Sequence, residues 1–136
     1  MNSIFRSIIT NQDVTMLSDT FPNGGRYCMH KSLEDQLHVM LIYMEANNQY
    51  PKHKHTNTEE FYIVLDGDMR VDVWDKFDVC SAISMSASGG SNSMSIVIEK
   101  NTWHSMTSGP NGVKFFEVRS GPFLKENTLF ENLIKF

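Results

Sequence analysis

The chain has 136 residues, a length typical of one domain with its own hydrophobic core, and its formal net charge is −4. This acidic balance, without any cluster of Lys and Arg, argues against nucleic acid or an anionic membrane surface as the main partner. No apolar stretch reaches the roughly 18 residues that cross a bilayer, and the first residues lack the apolar core of a secretion signal. We therefore expect one domain over residues 1–136, located in the cytoplasm, with Cys28 and Cys80 as free, buried thiols.

The first half of the chain predicts a short arm followed by strands. Residues 1–20 are expected to form a helical or irregular arm, and alternation of apolar side chains with period two begins near Tyr27. The run 38–44 is apolar on both faces, which predicts a strand that is covered on each side. A strongly β-forming run, 61–65, ends at the Asp-Gly-Asp sequence of 66–68, which indicates a hairpin turn.

The second half predicts further strands and one helix. The serine-rich stretch 81–95 is interpreted as part of a hairpin with a flexible tip at Gly89-Gly90, and a turn over 108–112 precedes an alternating strand at 113–118. Apolar residues at positions 129, 130, 133 and 134 share one helix face, so a helix over 127–136 is expected. Many short strands with Gly and Asn turns indicate an all-β protein, an antiparallel barrel or sandwich.

Three histidines and a carboxylate carry the main functional signal. On a strand, His53 and His55 point to the same side, so both imidazoles can reach one metal ion. A carboxylate at the start of the next strand can fold back to the same ion, and His104 follows the alternating strand 94–98 and a short turn. Three imidazoles with one carboxylate suit one divalent ion of Fe, Mn, Ni, Zn or Cu, with coordination positions left for water or a ligand.

These residues resemble the two sequence motifs of the cupins. The pattern His53-x-His55-x4-Glu60-x6-Gly67 is similar to the first motif, and His104 is similar to the histidine of the second. The resemblance implies a cupin fold, a jelly-roll barrel also called a double-stranded β-helix. It also implies that Glu60, and not its neighbour Glu59, is the carboxylate ligand.

The sequence departs from these motifs at two positions that concern the backbone. Asn47 stands where the first motif has glycine, and Asn101 stands where the second has glycine. Asparagine tolerates a positive φ better than most residues, so both are expected to make the same turns. None of the four proposed ligands is lost.

Residues 26–123 resemble the WbuC-type cupin metalloproteins, most clearly in their entry and ending segments. The residues that carry this resemblance are Arg26, His30, Ser32, Asp35 and Met40 at the entry, and Phe116-Glu117-Val118 and Gly121-Pro122-Phe123 at the end. Those proteins are encoded in bacterial lipopolysaccharide O-antigen clusters. The resemblance therefore implies a small metal-dependent enzyme, an isomerase or epimerase, that acts on a carbohydrate or nucleotide-sugar intermediate of cell-surface polysaccharide metabolism.

Two other functions are compatible with the same residues. An Fe(II)-dependent dioxygenase uses the same ligand set, and a non-catalytic cupin would bind or sense a sugar, with or without metal. In an enzyme, Glu117, Tyr62 and His30 are the candidate acid or base residues, and Arg119 is a candidate anchor for an anionic group. In the competing interpretation, Glu117 forms a surface salt bridge with Arg119 or Arg70.

A homodimer is expected for a barrel of this type. The open sheet edges carry unpaired backbone groups that a second subunit can cover. The N-terminal arm or the helix over 127–136 is expected to contribute to that interface.

Overall fold

The N-terminal arm contains a capped helix. In the computed structural model, which describes residues 7–88 and 90–131, helix α1 spans Asn11–Thr20. The Thr10 side chain accepts a hydrogen bond from the Asp13 backbone, and the Asp13 side chain accepts one from the Thr10 backbone. Leu17 is buried on the inner side of the helix. The helical prediction for the arm is confirmed over α1.

Within the described residues, eight strands follow the helix and form one continuous sheet. Their bounds are β1 Gly25–Cys28, β2 Leu37–Met44, β3 Gln49–His55, β4 Glu60–Trp74, β5 Cys80–Ser86, β6 Ser95–Ile98, β7 His104–Ser120 and β8 Thr128–Phe130, with a short 3-10 helix at Lys125–Asn127. The long strands β4 and β7 have 15 and 17 residues and pair antiparallel with each other. Within the described part of the chain, no helix has the length and apolar character needed to cross a membrane.

Strands β4 and β7 are shared by two layers. The start of β4, 60–63, pairs with β6, whereas 68–74 pairs with β5. Strand β7 pairs with β3 near its start and with β2 over 113–120. Two groups of strands therefore share their central pair, as in a jelly-roll barrel. The predicted all-β class is confirmed.

The two clearest turn signals lie inside the long strands, so the predicted hairpin at 66–68 and the predicted turn at 108–112 are wrong. Register shifts on both sides of Gly67 mark bulges in β4. Gly67 and Gly112 both have a φ of 77°, and a Cβ on Gly67 would collide with the Gly112 carbonyl oxygen. The two glycines therefore let the paired strands approach and bend together, where a hairpin would reverse the chain.

The serine-rich stretch and the C-terminal segment also differ from expectation. Strands β5 and β6 do not form a hairpin ladder with each other, because both pair with β4, and Gly89 lies outside the described residues. Residues 128–130 form strand β8 and not the start of a helix. Pairing with β3 gives β8 its backbone partners and places the Phe130 ring 5.7 Å from that of His53. The last part of the expected helix, 132–136, lies outside the described residues.

Apolar side chains fill the space between the layers. The largest buried members of this core are Met44, Tyr62, Met69, Met85, Met106 and Phe115. The inner faces of β3, β4 and β7 continue from this core into a buried polar cluster. The packed core therefore fixes the backbone that carries the polar cluster.

Candidate metal centre

Three strands bring the four predicted metal ligands together. His53 and His55 lie at the end of β3, Glu60 begins β4 and His104 begins β7. His53 and His104 are direct partners across β3 and β7, and their ring centroids are 4.3 Å apart. All four residues are buried, and one potential ligand atom from each lies within 4.8 Å of the others. One ion can therefore contact all four side chains.

Two asparagines shape the loops next to this cluster. Asn47 has a φ of 54° and Asn101 a φ of 63°, which is the conformation expected for both. The Asn101 amide donates a 2.6 Å hydrogen bond to the His55 carbonyl oxygen. The Asn47 amide donates to the Gly109 carbonyl oxygen at 3.0 Å. The asparagines thus tie the loops before β3 and β7 to neighbouring strands.

Backbone carbonyl groups orient two of the imidazoles. Nδ1 of His53 lies 2.8 Å from the Pro51 carbonyl oxygen, and Nδ1 of His104 lies 2.8 Å from the Thr102 carbonyl oxygen. Because a carbonyl oxygen only accepts, each Nδ1 carries the proton and each Nε2 presents a lone pair. This arrangement, in which one ring nitrogen is held by the backbone, is typical of metal-binding histidines.

The Glu60 carboxylate has one oxygen without a hydrogen-bond donor. Its Oε1 lies 2.8 Å from His55 Nε2 and 3.2 Å from His104 Nε2, yet it accepts no hydrogen bond from the described residues. Its Oε2 accepts a 2.7 Å hydrogen bond from the Tyr62 hydroxyl. A buried carboxylate oxygen this close to two imidazole nitrogens is unfavourable without a proton or a metal ion between them. The residues present therefore fit a divalent metal ion.

Burial and the neighbouring charges set the protonation of the cluster. Burial, with a further contribution from His104, lowers the pKa of His53 to about 4. Burial favours the neutral form of Glu60, but His104 and His55, when they are protonated, outweigh it and hold the pKa of this carboxyl well below its usual range. Neutral imidazole and ionised carboxylate are the forms in which these groups bind metal.

Glu59 lies on the other face of the strand. It is exposed, whereas Glu60 is buried. Successive residues of a strand project to opposite faces, so only one of the two carboxylates can enter the cluster. The structure places inward the carboxylate that the motif resemblance selects.

Tyr62 and Glu117 lie beside the cluster, inside the barrel. Besides its bond to Glu60, the Tyr62 hydroxyl is 3.4 Å from His104 Nε2. Burial raises the pKa of Tyr62 well above its usual value, so the hydroxyl keeps its proton. Glu117 is the Cα partner of Tyr62 across β4 and β7 and is buried. Burial, followed by the negative charge of Glu60, raises the pKa of Glu117 to about 8.

Arg119 lies next to Glu117 on β7, and its Nε is 3.8 Å from Glu117 Oε2. Both side chains are only 10% exposed, so the surface salt bridge of the competing interpretation is wrong in its location. Arg70 pairs with Asp72 at 3.1 Å on the outer side and does not reach Glu117. Glu117 and Arg119 therefore belong to the interior wall.

His30 lies apart from the cluster. Its ring stacks on that of His38 with centroids 4.0 Å apart, and its Nδ1 accepts a hydrogen bond from the Val39 amide. Burial lowers the pKa of His30, and the charge of His38 has the next largest effect in the same direction. Among the contacts of residues 7–88 and 90–131, none joins His30 to the four clustered side chains.

Three neighbours of the cluster, which are Tyr50, Thr128 and Phe130, are not identified from the sequence. The Tyr50 ring packs edge-on against His53 at 4.8 Å, and Nδ1 of His55 lies 3.0 Å from the Thr128 hydroxyl. The register of β3 is irregular between Tyr50 and His53, so period two does not reveal the side that Tyr50 takes. Thr128 and Phe130 are missed because the sequence predicts a helix at 127–136, whereas strand pairing sets their positions.

Comparison with known proteins identifies the fold and no named family. A family model described as a domain of unknown function, DUF6016, matches residues 25–83, which is less than half of the chain. No curated protein matches the sequence.

Several solved structures share the fold at low sequence identity. A structure of Bacillus subtilis oxalate decarboxylase concerned with its Mn(II) centres has a TM-score of 0.61 and 16% identity, over 72% of this chain and 25% of its own. Lactobacillus farciminis oxalate decarboxylase in complex with formate has a TM-score of 0.63 and 15% identity, over 82% of this chain and 32% of its own. Pumpkin seed globulin has a TM-score of 0.59 and 14% identity, over 70% of this chain and 23% of its own.

The chain covers about a quarter to a third of the length of these structures. Likeness at such identities shows the fold alone, since one fold carries many functions. The chain is a cupin-fold protein with a buried group of three histidines and one glutamate that can hold a metal ion.

Proposed function

We propose that this protein holds one divalent transition-metal ion on His53, His55, Glu60 and His104, and that this site is the reactive centre for a small organic ligand. The observation that carries the proposal is the convergence of four potential ligand atoms within 4.8 Å around an oxygen that lacks a donor among the described residues. Fe, Mn, Ni, Zn and Cu all suit this set of ligands. The likeness to a decarboxylase with Mn(II) centres supports Mn among them.

The residues around the site have the chemistry for proton transfer. A divalent ion, when bound, supplies Lewis acidity to a carbonyl or hydroxyl oxygen of the ligand. Tyr62 donates to Glu60 and holds that carboxylate in one orientation. Glu117, with a pKa of about 8, keeps its proton at neutral pH and is the first candidate for a general acid or base. Tyr62 is the second candidate, and His30 is the third because it lies apart from the cluster.

The proposed ligand is a carbohydrate or nucleotide-sugar intermediate of cell-surface polysaccharide metabolism, and the proposed reaction is an isomerisation or epimerisation. The support is the resemblance of the entry and ending segments to WbuC-type cupins. Such reactions remove and return a proton next to a carbonyl group, which requires an acid-base group close to the polarised oxygen. Glu117 and Tyr62 are available in that position.

A cytoplasmic location is part of this proposal. Cys28 and Cys80 are both free, as expected, but they are exposed and not buried. Free thiols at the surface are typical of a reducing compartment, because oxidising compartments favour disulfides.

We also propose a homodimer, formed on the side of strands β5 and β6. Phe77, Val79 and Val97 lie on this side and are 75%, 59% and 56% exposed. Among the described strands, β5 and β6 each pair with β4 alone, so each has one open edge. Apolar side chains beside open edges favour a protein partner, and a second copy of the chain is the simplest one.

Thermal unfolding tests the metal site. Treatment with a chelator should lower Tm, and single additions of Mn, Fe, Ni, Zn or Cu should raise it for each metal that binds, because binding to the native state alone increases apparent stability. Saturation at one equivalent per chain would support one site. A Tm that none of the five metals changes would contradict the proposal.

A further inference from the structure

Arg119 is a buried cation beside the proposed metal site. It is the Cα partner of Glu60 across β4 and β7, and direct partners in antiparallel strands project to the same face of a sheet. Its side chain is 10% exposed. The guanidinium carbon lies 4.8 Å from the centroid of the Phe123 ring, which packs against the planar group.

The Arg119 guanidinium lacks sufficient acceptors. Glu117 is its nearest acidic neighbour, but the 3.8 Å distance between Arg119 Nε and Glu117 Oε2 is beyond hydrogen-bond length. Within residues 7–88 and 90–131, Arg119 makes no closer polar contact than this one. Arginine has five N–H donors, and those of Arg119 are not among the fully buried side-chain atoms without a partner, so they are open to water or a ligand. The free donors favour an acceptor that the described chain does not provide.

The space next to Arg119 borders the metal site. A water-sized crevice is lined by Arg119 and by the metal-site residue His55. Thr58 and Thr128 also line this crevice. One ligand oxygen held by the guanidinium would therefore lie close to the imidazole cluster.

A second arginine adds positive charge to this region. Burial raises the pKa of Tyr50, and the negative charge of Glu117 raises it further. The positive charges of Arg26 and Arg119 lower this pKa. The two arginines therefore act on the space around Tyr50, whose ring packs against His53. Arg26 is exposed, so its charge is available to an approaching ligand. Such a positive region attracts anions.

The crevice favours a carboxylate over a phosphate. The planar fork of a guanidinium matches a planar carboxylate through two parallel hydrogen bonds. Phosphate sites usually add lysine or the N-terminus of an α-helix. Among its described lining residues, this crevice has one arginine, no lysine and no residue of an α-helix.

We propose that Arg119 binds the carboxylate of an organic anion whose second oxygen-bearing group reaches the metal site. This inference rests on the proposed function, because the metal ion is the other half of the binding site. It specifies the substrate class further: among sugar derivatives, a sugar acid meets both requirements.

Binding of glycolate to the metal-loaded protein tests this inference. Arg119→Gln should raise the Kd for glycolate by about tenfold or more, because the charged fork is lost. Arg119→Lys, which keeps the charge without the fork, should give an intermediate Kd. Arg70→Gln removes an arginine that pairs with Asp72 on the outer side and is the matched control, so its Kd should equal that of wild type. Glycolamide, the neutral analogue, should bind wild type and Arg119→Gln equally.

Metal content and the Kd for imidazole, measured on the same samples, separate this inference from the metal site itself. Full metal content and unchanged imidazole binding in Arg119→Gln would show that the metal site is intact. With the site intact, equal glycolate affinity in wild type and Arg119→Gln would overturn the role of Arg119. A dependence on Arg119 for inorganic phosphate and not for glycolate would overturn the carboxylate assignment. A wild-type protein that binds no metal would overturn the proposed function and this inference with it.

Discussion

At the scale of single residues, the proposed site depends on the strand face that each side chain takes. Glu59 and Glu60 are neighbours, yet one is exposed and the other is buried with its Oε1 among imidazoles. A register shift of one residue would exchange them. The histidine spacing predicts that a nearby carboxylate completes the site, and the motif resemblance selects Glu60.

Replacing Glu60 by Gln should weaken metal binding by more than about tenfold, because the amide keeps the shape of the side chain and removes the negative charge. Glu59→Gln makes the same change one residue away on the exposed face and should leave metal affinity nearly unchanged. Metal-binding isotherms of the two variants measure this difference. The opposite ranking would show that the motif register is wrong by one residue.

The buried His53 should make the stability of the metal-free protein depend on pH. Its pKa is lowered from 6.5 to about 4 by folding, so the unfolded chain binds the proton more readily in this range. The contribution of His53 to the free energy of unfolding should be fully present above pH 6.5 and be lost as the pH falls through about 4. Urea unfolding of chelator-treated wild type and His53→Gln measures this contribution. The same pH slope in both proteins would contradict it.

At the scale of elements, period-two alternation predicts strands but does not show where a strand ends. The sequence at 66–68 has the residues of a hairpin turn, and it forms a bulge because Gly67 meets Gly112 on the partner strand. That contact joins distant parts of the chain and has no local signal. The segment 128–130 also lacks a decisive local signal, because its apolar spacing suits a helix or a strand. Pairing with β3 makes this segment a strand. Asn47 and Asn101 were predictable because the motifs place a turn there.

Substitution of Gly67 by Ala, compared with Gly90→Ala, separates two reasons for glycine at position 67. One is the positive φ, and the other is the close approach of the Gly112 backbone. Gly67 and Gly90 have nearly equal φ, 77° and 78°, but a Cβ meets the Gly112 backbone at position 67 and nothing within 4 Å at position 90. Gly67→Ala should lower the free energy of unfolding by about 2 kcal/mol or more, and Gly90→Ala by only about 1 kcal/mol. Urea unfolding measures both. Equal losses would mean that the contact with β7 does not restrict Gly67.

At the scale of the whole molecule, the ligand spacing predicts the fold better than the strand pattern does. Period two alone leads to a barrel or a sandwich, whereas the cupin resemblance names the jelly roll that the solved structures share. The strand pattern could not decide between the inward and the surface position of Glu117 and Arg119, because both faces of the run 113–118 carry apolar residues. The single domain over residues 1–136 stays a prediction.

The proposed dimer interface can be broken with one charge. Val97→Asp places a carboxylate on the apolar side of β6 and should convert the dimer to a monomer of 15.6 kDa. Leu33→Asp is the matched control, because Leu33 is 59% exposed and Val97 is 56% exposed. Light scattering at micromolar concentration measures the mass. A wild-type mass of 15.6 kDa would exclude the dimer, and a dimeric Val97→Asp would exclude this interface.

The stoichiometry of bound metal tests the proposed site most directly. Elemental analysis of wild-type protein purified without chelator should give about one transition-metal ion per chain, as expected for one set of three histidines and one carboxylate. The double variant His53→Ala, His104→Ala removes the two paired imidazoles and should contain almost none. Full metal content in the folded double variant would contradict the site.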